Sequence, residues 1–281
     1  MLPEVVATMS RTLPSRQSRF PGRIAWPVLA IAAFFAVAFA SLPAAAADGP
    51  RKVLFTYGGW DGHEPEALRD LLVPWLESEG FDVVVSDTLE PYADAEFMGG
   101  IDLVVQIWTM GEIGKEELEG LEQAVLSGMG IAGWHGGLGD AFRQSPRYQY
   151  MIGGQWVEHP GNDGVTYRVH ITDRADPITA GIEDFDVTSE QYYMHVDPNN
   201  EVLATTTFTG KHDAWVTDAV MPVAWKRRHG QGRVFYTSLG HQAKVFEVPE
   251  AFTLLKRGIL WASRSKYEET PDLVSPVYPG R

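Results

Sequence analysis

Between Arg51 and Trp134, short apolar runs alternate with longer stretches whose apolar residues recur every three to four positions. That alternation points to βαβ units built around a parallel sheet. Positions 52–57, 81–86, 101–108 and 130–134 read as strands. Leu68, Leu71, Leu72, Trp75 and Leu76 fall on one face of a helix expected over 65–79, with Pro65 suited to its first turn. Pro74 lies inside that pattern and is expected to kink it. A second helix is expected over 116–127 and closed by Gly128. The later half is less regular, with strands expected at 166–171, 202–207, 221–226 and 233–238 and a closing helix at 249–264. The link 227–232, Arg-Arg-His-Gly-Gln-Gly, suits a hairpin turn. The expectation is a single-domain α/β protein over 48–267, with an open, mainly parallel sheet, helices on both faces and an added C-terminal hairpin. The Pro- and acid-rich tail 268–281 is expected to be loosely ordered.

Residues 1–47 read as an export signal, because Arg11, Arg16, Arg19 and Arg23 precede an apolar run from Ile24 to Leu42 that ends in small residues. Ala45 and Ala47 fit a cleavage site before Asp48, which implies a periplasmic or secreted protein. An uncleaved N-terminal membrane anchor is the alternative. No later stretch is apolar for long enough to insert stably into a membrane. Without the signal's four arginines and one glutamate, 19 basic residues face 36 acidic ones, a charge of −17. Such a surface repels phosphate backbones and argues against nucleic acid as a partner. The pattern leaves open whether the protein is a monomer or a homo-oligomer. With no cysteine in the chain, disulfides and thiolate chemistry are excluded.

In open α/β sheets ligands bind beyond the carboxyl ends of the strands, and the loops expected there are rich in glycine and histidine. Gly133-Trp134-His135-Gly136-Gly137 directly follows the fourth expected strand. A side chain flanked by glycines at such a turn fits a nucleophile elbow, a strained turn that presents the central residue. The residue here is His135, and a helix N-terminus behind it would keep the imidazole neutral.

Several segments, in order along 52–263, resemble those of the ThuA-like family. They are Tyr57-Gly58-Gly59 with His63, the Gly133–Gly137 run, and Gly153-Gly154-Gln155-Trp156-Val157-Glu158-His159-Pro160. Further on come Asp176-Pro177-Ile178-Thr179-Ala180-Gly181, Glu190-Gln191-Tyr192, Pro222-Val223-Ala224-Trp225, the run from Gly230 to Tyr236, and Leu239-Gly240-His241. The resemblance implies a flavodoxin-like fold of the class I glutamine amidotransferase-like type and a role in trehalose or other carbohydrate use. Amidotransferases of that fold carry a cysteine at the elbow. His135 stands there instead, so a Cys-dependent glutaminase is excluded. Glu158 and Ser189 also depart from the family pattern, which often has a small residue and an aspartate at those places.

His135, His159, Glu190 and His241 are the residues expected to converge as a catalytic group, with a carboxylate orienting an imidazole for general acid/base work. Gly58, Gly59, His63, Trp108, Gly136, Tyr192 and His195 are expected to bind substrate, and Trp60, Trp108 and Trp134 could stack on a pyranose. The expected substrate is a sugar, keto-sugar or glycoside, and the expected reaction an isomerisation, elimination or hydrolysis. A carbohydrate-binding or scaffold protein without catalysis is one alternative. The other is a metal-dependent hydrolase with a divalent ion on His135, His159, Glu190 and His241, although no tight ligand spacing points to a cofactor.

Overall fold

The computed structural model describes residues 49–271. The expected export signal at 1–47 and positions 272–281 of the expected tail lie outside the described residues. The chain runs β1 (Lys52–Gly59), α1 (Pro65–Ser78), β2 (Asp82–Ser86), α2 (Ala95–Gly99), β3 (Leu103–Thr109), α3 (Lys115–Leu126), β4 (Gly130–Trp134), α4 (His135–Gly139) and α5 (Pro146–Ile152). It continues through β5 (Gly154–Glu158), β6 (Val165–Ile171), β7 (Phe185–Ser189), β8 (Tyr193–Val196), β9 (Glu201–Thr207), β10 (Val220–His229), β11 (Gly232–Thr237) and α6 (Pro249–Ala262).

Continuous apolar runs mark strands buried on both faces, and β3, β4 and β11 are buried almost throughout. They form the centre of a sheet in which β2, β1, β3, β4 and β11 pair in parallel in that order. This is the flavodoxin-like order, with its switch point between β1 and β3. Successive residues of a strand face opposite sides. Val53 and Phe55 therefore meet Leu68, Leu72 and Leu76 of α1 and Leu255 and Ile259 of α6, while Leu54 meets the core formed with Leu121 and Val125 of α3 and Met151 of α5. Helices thus cover both faces. Each fully buried leucine contributes about 1.5–3 kcal/mol relative to exposure. Helix α1 runs unbroken past Pro74, which lies on its exposed side, where water can satisfy the carbonyl that the proline leaves without a donor.

The expected hairpin is present as β10 and β11, and β9, β6 and β7 extend it antiparallel in the same nine-stranded sheet. Strands β5 and β8 form a separate antiparallel pair. The turn between β10 and β11 is shorter than expected. Arg227, Arg228 and His229 belong to β10, and Gly230 turns the chain at φ 60°.

Lys226 and Arg227 are therefore not the solvated turn that their charges suggest. Both are buried, because each has acidic partners to neutralise it. Lys226 pairs with Asp176 and lies 3.0 Å from Glu201; Arg227 lies 3.1 Å from Asp197 and donates to Asn200. Burial alone would lower the Lys226 pKa, but the two carboxylates outweigh it and raise it. The start of the expected tail is also tied down. Arg233 donates to the carbonyls of Glu268 and Glu269 and to the Thr270 hydroxyl.

Replacing Lys226 by methionine leaves Asp176 and Glu201 uncompensated and is expected to cost about 3–5 kcal/mol in urea unfolding. Adding Asp176→Asn should recover part of that loss, which a simple packing defect would not.

Candidate functional site

The carboxyl ends of β1, β3, β4 and β11 lie side by side, and each supplies a part of one buried centre. After β1, a 3-10 turn at Asp61–His63 buries His63. Its Nδ1 meets the Thr109 hydroxyl at the end of β3 at 2.8 Å. Two glycines make this possible. A Cβ on Gly59 would lie 2.2 Å from the Thr109 carbonyl oxygen, and one on Gly136 would lie 2.4 Å from the His63 ring.

His135 follows β4 as the first residue of α4, with φ at 47°. A left-handed conformation at a non-glycine residue costs on the order of 1–3 kcal/mol and persists only where its surroundings enforce it. The turn is strained, as the elbow pattern predicts, but the side chain is 1% exposed rather than presented to solvent. The Tyr192 ring stacks on it at 4.0 Å and 28°. Its Nδ1 donates to the Ser238 carbonyl after β11 at 2.7 Å, which turns Nε2 toward the Glu190 Oε2 atom, 3.1 Å away.

Glu190 comes from the antiparallel half, one residue beyond β7, and Tyr167 of β6 donates to its carbonyl at 3.2 Å. Three imidazoles converge on Oε2: His135 at 3.1 Å, His241 Nδ1 at 3.4 Å and His63 Nε2 at 3.9 Å. The His63 ring lies 4.6 Å from that of His135 and 5.0 Å from that of His241. All four residues are buried. The other carboxylate oxygen, Oε1, lies 3.8 Å from His159 Nε2, on a side chain 24% exposed beyond β5.

Burial sets the electrostatics of the centre. It pushes the His63 pKa down to about 2, with the neighbouring imidazoles adding to the shift. His135 is also lowered, chiefly by burial and against the pull of Glu190; the five-residue α4 behind it is not the main cause. For Glu190, burial works upward, but the surrounding imidazoles of His135 and His241 outweigh it and hold the carboxyl below the usual range.

The structure thus brings together all four expected catalytic residues, His135, His159, Glu190 and His241, and adds His63. Tyr192 contributes a ring face, and Gly136 and Gly59 contribute room. Gly58 packs on Trp108, where a Cβ would come within 2.7 Å of the indole. Trp108 is half-buried in the core on that side, and Trp134 is fully buried. His195 is exposed and pairs with Gln155 between β8 and β5. Trp60 is 47% exposed and packs edge-on against His63. Thr109, Tyr167 and Ser238 escape sequence reasoning. Ser238 acts through its backbone, and the other two lie in ordinary strand patterns. Pro160 and Gln191, neighbours in the chain of His159 and Glu190, line a cavity of about 640 Å³ with Tyr167, Phe208 and His212.

The family model of trehalose utilisation, ThuA, matches residues 52–262. The chain belongs to the ThuA family. That span contains His63, His135, His159, Glu190 and His241, so the whole centre lies within what ThuA proteins share as a domain. Two solved structures described as ThuA-like have a similar fold. One, from Bacteroides uniformis ATCC 8492, is 18% identical with a TM-score of 0.65, and the match covers 79% of this chain and 95% of that one. The other, from Parabacteroides merdae ATCC 43184, is 19% identical with a TM-score of 0.61 and coverage of 82% and 98%. A cytoplasmic protein from Salmonella typhimurium LT2 is 14% identical at a TM-score of 0.52, covering 76% of this chain and 98% of that one. No curated protein matches the sequence.

Gly136→Ala is expected to push His63 out of place and lower stability by about 1–3 kcal/mol in thermal or urea unfolding. Gly99→Ala, with open space around the new methyl, should not.

Proposed function

We propose that this ThuA-family protein is an enzyme acting on a sugar, keto-sugar or glycoside by general acid/base chemistry. It would transfer a proton to isomerise the substrate, or to eliminate or hydrolyse an adjacent C–O bond. One observation carries the reading. A single buried carboxylate has three imidazoles around one oxygen and a fourth, partly exposed imidazole beside the other.

His159 is the more exposed member of this group and the one that incoming substrate would meet, with Glu190 Oε1 3.8 Å from its Nε2. An imidazole held by a carboxylate can take a proton from carbon or deliver one to a leaving oxygen, a role that contributes about 10²–10⁴-fold in rate. His135, locked between Ser238 and Glu190, keeps the carboxylate in position. Aromatic surface suited to the apolar face of a sugar is close by. Trp156 lies 5.4 Å from the His159 ring and under the Arg143 guanidinium, which Asp140 holds by two hydrogen bonds. The neighbouring cavity of about 640 Å³ falls within the roughly 300–1,000 Å³ of small-molecule sites. A role in trehalose utilisation, the family's description, favours a carbohydrate over other small molecules. Export to the periplasm or medium belongs to the same proposal and rests on the N-terminal pattern of arginines, apolar run and small residues.

The test is turnover of a panel of sugars, their keto derivatives and glycosides by the wild-type protein and by His159→Gln and Glu190→Gln. Each variant is expected to lose about 10²-fold or more in kcat while thermal-shift binding of the same compound persists. Binding without turnover by the wild type would replace this reading with a non-catalytic carbohydrate-binding protein. N-terminal sequencing of protein recovered from cells is expected to begin at Asp48; a chain beginning upstream and retained in the membrane fraction would replace export by anchoring.

A further inference from the structure

We propose that the buried centre is a metal site in which His63 Nε2, His135 Nε2, His241 Nδ1 and Glu190 Oε2 hold one divalent ion of the zinc type. This deepens the reading of the centre as the reactive one and rests on that reading only for what the ion does.

A backbone carbonyl can only accept, so the 2.7 Å contact with Ser238 places a proton of His135 on Nδ1. Nε2 is thereby turned toward the Glu190 carboxylate, 3.1 Å from Oε2, a separation that a cation bound by both atoms would give. His241 points to the same place independently. It is 5% exposed, and its Nδ1 is buried with no hydrogen-bond partner although it lies 3.4 Å from Glu190 Oε2. Buried polar atoms are rarely left unpaired, and here the unpaired atom points at the same oxygen.

The spacing fits an ion. The four donor atoms all lie within 4.8 Å of one another. Bonds of about 2.0–2.1 Å in a tetrahedral arrangement place ligand atoms about 3.4 Å apart. The distances from Oε2 are 3.1, 3.4 and 3.9 Å, which bracket that value. Outer partners of the kind that aim metal-bound histidines are in place: the Ser238 carbonyl on His135 and the Thr109 hydroxyl on His63. Three imidazoles and one carboxylate suit zinc and its neighbours in the first transition row, not magnesium or calcium, which prefer all-oxygen sites.

Two differences from the ligand set expected from sequence follow. His63 takes the fourth place, and His159 stays free at Oε1 for its acid/base role. Four protein ligands fill a tetrahedral ion, so it would hold the centre together, and it would polarise a sugar hydroxyl or carbonyl oxygen only by taking that oxygen as a fifth ligand. The other acidic group of suitable spacing, Asp173, Asp176 and Glu201, already has the Lys226 ammonium as its counter-charge and carries no such inference.

The test uses the full chain, stripped by a chelator and titrated with Co²⁺ while its visible absorption is recorded. One equivalent should bind with the intense bands of a four-coordinate site. His241→Asn and His63→Gln should weaken binding at least tenfold with unchanged circular dichroism, whereas His159→Gln should bind as the wild type does. Absence of stoichiometric Co²⁺ uptake would overturn the assignment, as would a folded His241→Asn protein with wild-type affinity. A stripped protein that takes up no Co²⁺ yet turns over carbohydrate removes the ion and leaves the proposed function standing. Uptake that depends on His63 and His241, with no turnover of any carbohydrate tried, upholds the site and removes the function.

Discussion

A carboxylate that is almost completely buried must have positive or donor groups within reach, and that requirement at Glu190 organises the molecule. The carboxylate arrives from the antiparallel half of the sheet, at the end of β7, while the three imidazoles around Oε2 come from loops after β1, β4 and β11 of the parallel half. Neither half holds the centre alone. The two meet only because β10 pairs with β11 on one side and β9 on the other, so sheet continuity is what brings Glu190 to the histidines.

The supports around the centre follow the same logic of reach. Gly136 and Gly59 are small because His63 and Thr109 lie where their Cβ atoms would be. Tyr192 and Tyr167 are large because one must cover the His135 ring and the other must reach the Glu190 carbonyl. The cost of a buried polar cluster is offset in part by partners outside it, Thr109 for His63 and the Ser238 carbonyl for His135, whereas His241 Nδ1 and His159 Nδ1 have no hydrogen-bond partner.

Much of this was legible in the sequence where one local rule dominates. The parallel half shows long apolar runs and clear helical spacing, and its strands and helices α1, α3 and α6 fall within a few residues of their expected positions, while the short α2, α4 and α5 carry too few turns to show a period. β5, β7 and β8 were missed because strands of four or five residues with polar alternation, such as Phe185–Ser189, look like loops until a partner strand buries one face. Lys226 and Arg227 misled for a related reason: a charged run signals solvent unless its distant partners, Asp176, Glu201 and Asp197, are known. The candidate site was legible in His135, His159, Glu190 and His241 through their place at strand ends and the family resemblance. His63 is expected from the sequence only as a substrate-binding residue, since nothing local distinguishes a histidine in a three-residue 3-10 turn from a surface one.

The strained turn at His135 has one more consequence. In the elbow geometry the central side chain is normally the attacking group, and a bond to substrate forms there. Here both ring nitrogens are engaged, one with the Ser238 carbonyl and one at the Glu190 carboxylate, and Tyr192 covers one ring face. The turn that elsewhere launches a nucleophile here serves as an anchor, so a covalent substrate adduct at this position would require the anchor to be dismantled first.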